Sequence, residues 1–126
     1  MAYTTIDDPS AYFKVQLYTG TGSSNAVTFN DTDTDMQPDF VIIKDRDSGS
    51  NSYVTTDAIR GVNKILFTDS DSQELTDANR VSSYNSDGFT VGTDGSTNTN
   101  TNKYVAWCWK ESATAGFDIV AYAGSG

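Results

Sequence analysis

The chain contains no histidine and a single cysteine, Cys108, among 126 residues. The missing imidazole excludes Ser/His/Asp and Cys/His nucleophilic catalysis and removes the commonest zinc ligand. One cysteine forms no internal disulfide, and the apolar residues around Cys108 favour a buried thiol over an intermolecular bridge. Basic residues are also few: eight Lys and Arg stand against 17 Asp and Glu, for a net charge of −9. The eight are scattered, so phosphate neutralisation is not available and nucleic acid is not an expected partner. No segment approaches the roughly 18 consecutive apolar residues of a membrane span, so no membrane insertion is expected. The opening MAYTTIDDPS has neither the basic region nor the apolar run of a secretory signal, from which a soluble, cytoplasmically made chain is expected.

What the chain has in abundance is short polar side chains: 17 Thr, 14 Ser, 9 Asn and 15 Asp. These suit turns and solvated strand faces. An exposed, β-rich chain without an export signal fits a virion component, assembled in a host cytoplasm and then released. The acidic surface is expected to be solvated and self-repelling.

Helical periodicity is nearly absent. Residues Phe13 to Thr19 alternate Phe13, Val15 and Leu17 against Lys14, Gln16 and Tyr18, which predicts a strand with the apolar set on the core. Gly20 to Asn25 predicts a turn joining it to Ala26 to Phe29 as a hairpin. The continuously apolar FVII run in Phe40 to Lys44 predicts a central, buried strand. Tyr53 to Thr55 and Lys64 to Phe67 follow as strands, with a bend at Ile59 to Asn63 where Gly61 allows unusual dihedrals. The only helical turn is predicted around Gln73 to Ala78. Val81 to Tyr84 and Phe89 to Val91 flank an Asp-Gly pair, Asp87 and Gly88, which predicts a tight hairpin. Gly92 to Asn102 holds no apolar side chain and is expected to be a loop. In KYVAWCWK, Lys103 to Lys110, one face carries Tyr104, Ala106 and Cys108 and the other Val105, Trp107 and Trp109. This predicts an inner strand with the indoles filling the core or packing between subunits. Some nine short strands predict an all-β fold, an antiparallel β-sandwich of jelly-roll type, with a barrel as the alternative.

The chain also echoes itself. AYFKVQLYTGTG at Ala11 to Gly22 and AGFDIVAYAGSG at Ala115 to Gly126 share Ala, Phe, Tyr and both Gly in the same places. A repeat at fixed spacing marks modular arrays. The expected organisation is an N-terminal docking arm (1–10), a sandwich module (11–110) and a linker with the first strand of a second module, or a donated strand (111–126). Tyr3 and Ile6 in the arm, with Phe117, Ile119 and Tyr122 in the last segment, are the candidate subunit contacts.

Chemistry-bearing patterns are few. Asp31, Asp33 and Asp35 form the D-x-D-x-D opening of a calcium loop. Counted from Asp31, however, position six is Met36 where Gly is needed and position twelve is Ile42 where Glu coordinates. They are the candidate metal ligands, calcium is the candidate ion, and no cofactor is otherwise expected. No phosphate-cradling loop is present. No catalytic residue is identified, although paired carboxylates alone suffice for glycoside hydrolysis. Asn51, Tyr53 and Tyr84, beside predicted loops, are candidate glycan contacts.

Taken in order, MAYTTIDDPSAYF, LYTGTG, QPDFVIIKDRD, SYNSDGFTVG and YVAWCWK resemble a module that recurs in structural and tail-fibre-type proteins of marine tailed bacteriophages. The resemblance spans essentially the whole chain. It implies a virion role, often in proteins with further copies of the module, and a sandwich like the concanavalin or laminin-G type; homo-oligomers and contacts with other virion proteins are expected because subunit contacts would bury the edge strands and terminal segments. It implies no catalytic residues. The function expected is a fibre, tail-appendage or capsid-decoration component; the alternative is a module binding host-surface glycans.

Overall fold

A computed structural model describes residues 5–126, so Tyr3 lies outside the described residues. The fold is an all-β sandwich of two antiparallel sheets. Nine strands form it: β1 (Phe13–Thr19), β2 (Asn25–Thr28), β3 (Phe40–Asp45), β4 (Val54–Asp57), β5 (Gly61–Phe67), β6 (Leu75–Thr76), β7 (Val81–Asn85), β8 (Gly88–Val91) and β9 (Lys103–Trp109). The larger sheet runs β1-β9-β3-β4-β5-β6 and the smaller β2-β8-β7. β9 and β3 are thus inner strands, as their doubly apolar composition predicts.

The core lies between the sheets. Val41, Ile43, Val54, Ile65, Tyr104, Ala106 and Cys108 reach it from the larger sheet. Val27, Val81, Phe89 and Val91 meet them from the smaller one, and Phe29 and Met36 close the side. Cys108 is a free, buried thiol, and burial pushes its ionisation far up, so it stays protonated.

Four expectations need correction. First, β1 is inverted. Lys14 and Gln16 are buried, while Phe13, Val15 and Leu17 are 40%, 49% and 55% exposed. The interior accepts these polar groups because each finds partners. The Lys14 ammonium bonds both Asp31 carboxylate oxygens at 2.7 Å. Gln16 accepts from the Asn30 N–H and donates to the Leu17 carbonyl. Second, the indoles of β9 are outside and its small residues inside. Alternation separates two faces without saying which is buried, and here Tyr104, Ala106 and Cys108 fill the space under the smaller sheet.

Third, β1 and β2 are not a hairpin. The turn between them is tied to the loop before β9: Gly20 N–H donates to Asn102 O, Thr21 N–H to Asn98 Oδ1 and Gly22 N–H to Asn98 O. The chain therefore crosses to the other sheet. Asn98 can serve this turn because the expected loop contains a short helix, Gly95–Asn98, whose N-cap Asp94 accepts from Ser96 N–H. Fourth, the helical turn expected at Gln73 to Ala78 is instead β6, paired with β5 through Ile65–Leu75 and Lys64–Thr76. One turn gains too few hydrogen bonds to nucleate as helix, whereas the edge of β5 offers ready partners. The β7–β8 hairpin forms as expected, turning over Ser86 and Asp87.

Candidate interaction face on the larger sheet

The β1–β9–β3 register builds an apolar surface on the side of the larger sheet away from the core. Cross-strand partners share a face. Phe13, Trp109 and Phe40 make one row, Val15, Trp107 and Ile42 the next, and Leu17, Val105 and Lys44 the third. Leu66 on β5 adds a further exposed apolar group. The rings of the first row touch: Trp109 lies 5.0 Å from Phe13 and 5.4 Å from Phe40, centroid to centroid. In the second, Trp107 stacks with Tyr53 at 6.5 Å and 27°. The Lys44 ammonium sits 5.2 Å above the Tyr53 ring and donates to the Asn51 carbonyl.

One end of this face is already occupied by the chain itself. Phe117 stacks on Trp109 at 6.2 Å and 21° and lies 5.9 Å from Phe40. It is held there by paired backbone hydrogen bonds with Ser112. Beside it an open groove of about 620 Å³ is lined by Asp39, Glu111, Ser112, Phe117 and Asp118. The Glu111 N–H donates to Asp39 Oδ2 at 2.8 Å. A side-chain hydrogen bond with Asp118 raises the Glu111 carboxyl above its ordinary value, helped by partial loss of water and the nearby charges of Asp118 and Asp39.

The remaining candidates are dispersed. Asp31 is committed to Lys14, and it also accepts from the Asp33 N–H at 3.2 Å; Asp33 and Asp35 are exposed. Among the described residues no group of three His, Cys, Asp or Glu is placed to hold a metal ion. Asn51 and Tyr53 lie together at the β3–β4 turn. The Asn51 amide is spent on Asp45 Oδ2 at 2.9 Å and, more weakly, Gly95 O. Tyr84 is on β7 in the smaller sheet, packed against the core, with its hydroxyl pushed up by burial. It forms no site with the other two. Ile6 is partly buried, Ile119 likewise, and Tyr122 is 90% exposed.

Asp45 organises the loop under Asn51. Burial alone would raise its carboxyl, but donors from Asn102, Asp47, Asn51 and Ser48 outweigh that and hold it below the ordinary carboxylate value. The residues that sequence reasoning placed wrongly are the ones that make the face: Val15, Leu17, Trp107 and Trp109. Their signal was the matching alternation of β1 and β9, which becomes informative once the two strands are known to pair.

No curated protein and no solved structure matches the chain. The profile of a domain of unknown function, DUF7483, matches residues 8–126, which takes in every strand of both sheets as well as the segment that seats Phe117. The chain belongs to the DUF7483 domain family.

Proposed function

We propose that this chain is a non-enzymatic structural protein of a bacteriophage particle, a fibre, tail-appendage or capsid-decoration component that acts by assembling with other subunits. The observation that carries this reading is the apolar outer face of the larger sheet. Contiguous apolar patches of this kind mark interaction surfaces, and this one holds Phe13, Val15 and Leu17 at 40–55% exposure on an otherwise strongly acidic chain. Repulsion between acidic copies disfavours casual contact, so an apolar face supplies the attraction that specific assembly needs. The phage setting rests on the motif resemblance, and the finer jelly-roll assignment within the sandwich class rests on the run of about nine short strands separated by turns.

The test is incorporation. Mass spectrometry of purified particles should find the chain in the particle, and a Val15→Asp/Leu17→Asp variant should fold yet be missing from it. Recovery of the chain from lysed hosts but never from particles would overturn the reading.

One observation favours a second reading, a module for host-surface glycans: Tyr53 and Trp107 present adjacent rings beside Lys44. Aromatic faces of this kind stack on sugar rings. Saturable glycan binding lost in Tyr53→Ala would support it, and a negative glycan screen with and without calcium would reject it.

A further inference from the structure

Among the described residues, the outer face has an occupant at one end. Phe117 covers Trp109 and Phe40, after which the chain turns away, leaving Val120 73% and Tyr122 90% exposed. Residues 119–126, IVAYAGSG, carry no charged side chain in a chain of net charge −9. At the other end Val15 and Leu17 stay about half exposed beside Trp107 and Val105.

We propose that residues 119–122 of one copy, with Phe117 kept on its own indole row, dock on the outer face of a second copy, with Val120 and Tyr122 beside Leu17, Val105 and Trp107, so that two copies hold each other reciprocally. The inference rests on the reading of this face as an assembly surface and names what covers it.

Chemical fit is the first support, since the chain's own Phe117 already stacks on the indole row. Charge is the second. The projecting segment carries no charged side chain over residues 119–126, so it approaches an acidic partner with little repulsion. Area is the third. Strands about 4.8 Å apart and about 3.3 Å of rise per residue give five strands a face of roughly 20 by 20 Å, or roughly 400 Å² in projection. A standard interface buries about 800 Å² on each partner. Two bare faces fall short of that, and an apolar segment laid across each face adds contact on both copies.

The echo between Phe117-Ile119-Ala121 and Phe13-Val15-Leu17 suggests another arrangement, in which the segment replaces β1 of the second copy. The core excludes it. Asp118 would take the place of Lys14 and set a carboxylate against Asp31, where the structure now has an ion pair at 2.7 Å.

Sedimentation and light scattering of the full chain, from micromolar to millimolar, test the proposal. The expected result is a dimer that dissociates on dilution. Val120→Ser/Tyr122→Ser in the segment and Leu17→Ser on the face should each keep the wild-type melting temperature, since these side chains are exposed, and weaken dimerisation about tenfold or more. Mixing the two variants should restore association above that of either alone, because one segment and one face in the mixed pair remain intact. A monomer at every concentration, or a dimer indifferent to the segment variant, overturns the proposal. A monomer whose face variant is still lost from particles rejects the reciprocal dimer and leaves the assembly reading in place.

Discussion

The inversion of β1 makes an asymmetric prediction about the Lys14–Asp31 pair. The Lys14 side chain is 3% exposed, its ammonium bonds both oxygens of Asp31 at 2.7 Å, and it lies 5.5 Å from the centre of the Phe29 ring. The Asp31 side chain is 35% exposed and can reach water. Asp31→Asn leaves a cation in the core without a counter-charge. Breaking a buried pair this way costs about 3–5 kcal/mol, reduced here to about 2–3 because the pair opens to solvent on the Asp31 side. Lys14→Met removes the charge together with its desolvation and leaves an aspartate that turns outward, so it costs about 0–1 kcal/mol. The two substitutions differ by about 2 kcal/mol, a difference of roughly 6–10 °C in melting temperature for a chain of this size. Urea unfolding of both variants and of the double variant reads this directly, and the double variant should match Lys14→Met. If Lys14 pointed into solvent, both would fall within about 0.5 kcal/mol of the parent. Equal costs, or Lys14→Met as the worse of the two, would refute the inverted strand.

Other consequences follow from single positions. A Cβ on Gly20 would lie 2.1 Å from the Thr99 carbonyl oxygen, so Gly20→Ala should cost about 2–3 kcal/mol, whereas Gly49→Ala, with nothing within 4 Å, should leave the melting temperature unchanged. Asp45→Asn should cost about 1.5–3 kcal/mol at neutral pH, since the charged carboxylate holds four donors. Because the folded carboxyl of Asp45 is lowered, its contribution is present above its ordinary value of 3.8 and lost as pH falls through the folded value, so the variant should flatten the acid limb of a stability–pH curve. Glu111 has the opposite sign. Its raised carboxyl favours the protonated, Asp118-bonded form, so the seat of Phe117 on Trp109 should be firmest below the ordinary value of 4.5 and loosen as pH rises through the raised value. Tryptophan fluorescence against pH should show that transition in the parent and lose it in Glu111→Gln; identical curves would rule it out.

Most strands were legible because period-two alternation and turn residues are local signals. PDFVIIK and KYVAWCWK read as inner strands since both of their faces are apolar, and the sheet order β1-β9-β3-β4 agrees. Which face is inside depended on pairing, which no single strand encodes. In β1 the usual inference that apolar means buried failed because Lys14 and Gln16 find partners in Asp31 and Asn30, residues brought near only by the fold. The Gly92 to Asn102 loop was legible only as polar. Its buried residues, Thr97 and Asn98, are there to bond backbone: the Asn98 amide donates to Ser23 O and Gly92 O while its carbonyl accepts from Thr21 N–H. Composition cannot distinguish such a polar hub from a solvated loop, because the residues are the same and only the partners differ.

The paired glycines show how the structure sharpens the internal echo. In Gly20-Thr21-Gly22, each glycine has a local cause. Gly20 admits the Thr99 carbonyl, and Gly22 adopts φ +70° beside Asn100. Their counterparts Gly124 and Gly126 have nothing within 4 Å, although Gly126 also adopts a positive φ. The spacing therefore has a steric reason in the first copy that is absent around the second within this chain. A segment carrying the same alternation and the same glycines, but Asp118 where Lys14 stood, is suited to a sheet-bearing partner and unsuited to the place of β1. That alternation, with Asp118 in the place of Lys14, fits the proposed reciprocal dimer. Substituting Gly124 with alanine, where a Cβ meets open space, should therefore leave the stability of the chain unchanged, and any weakening of the dimer it caused would locate the partner's backbone beside that residue.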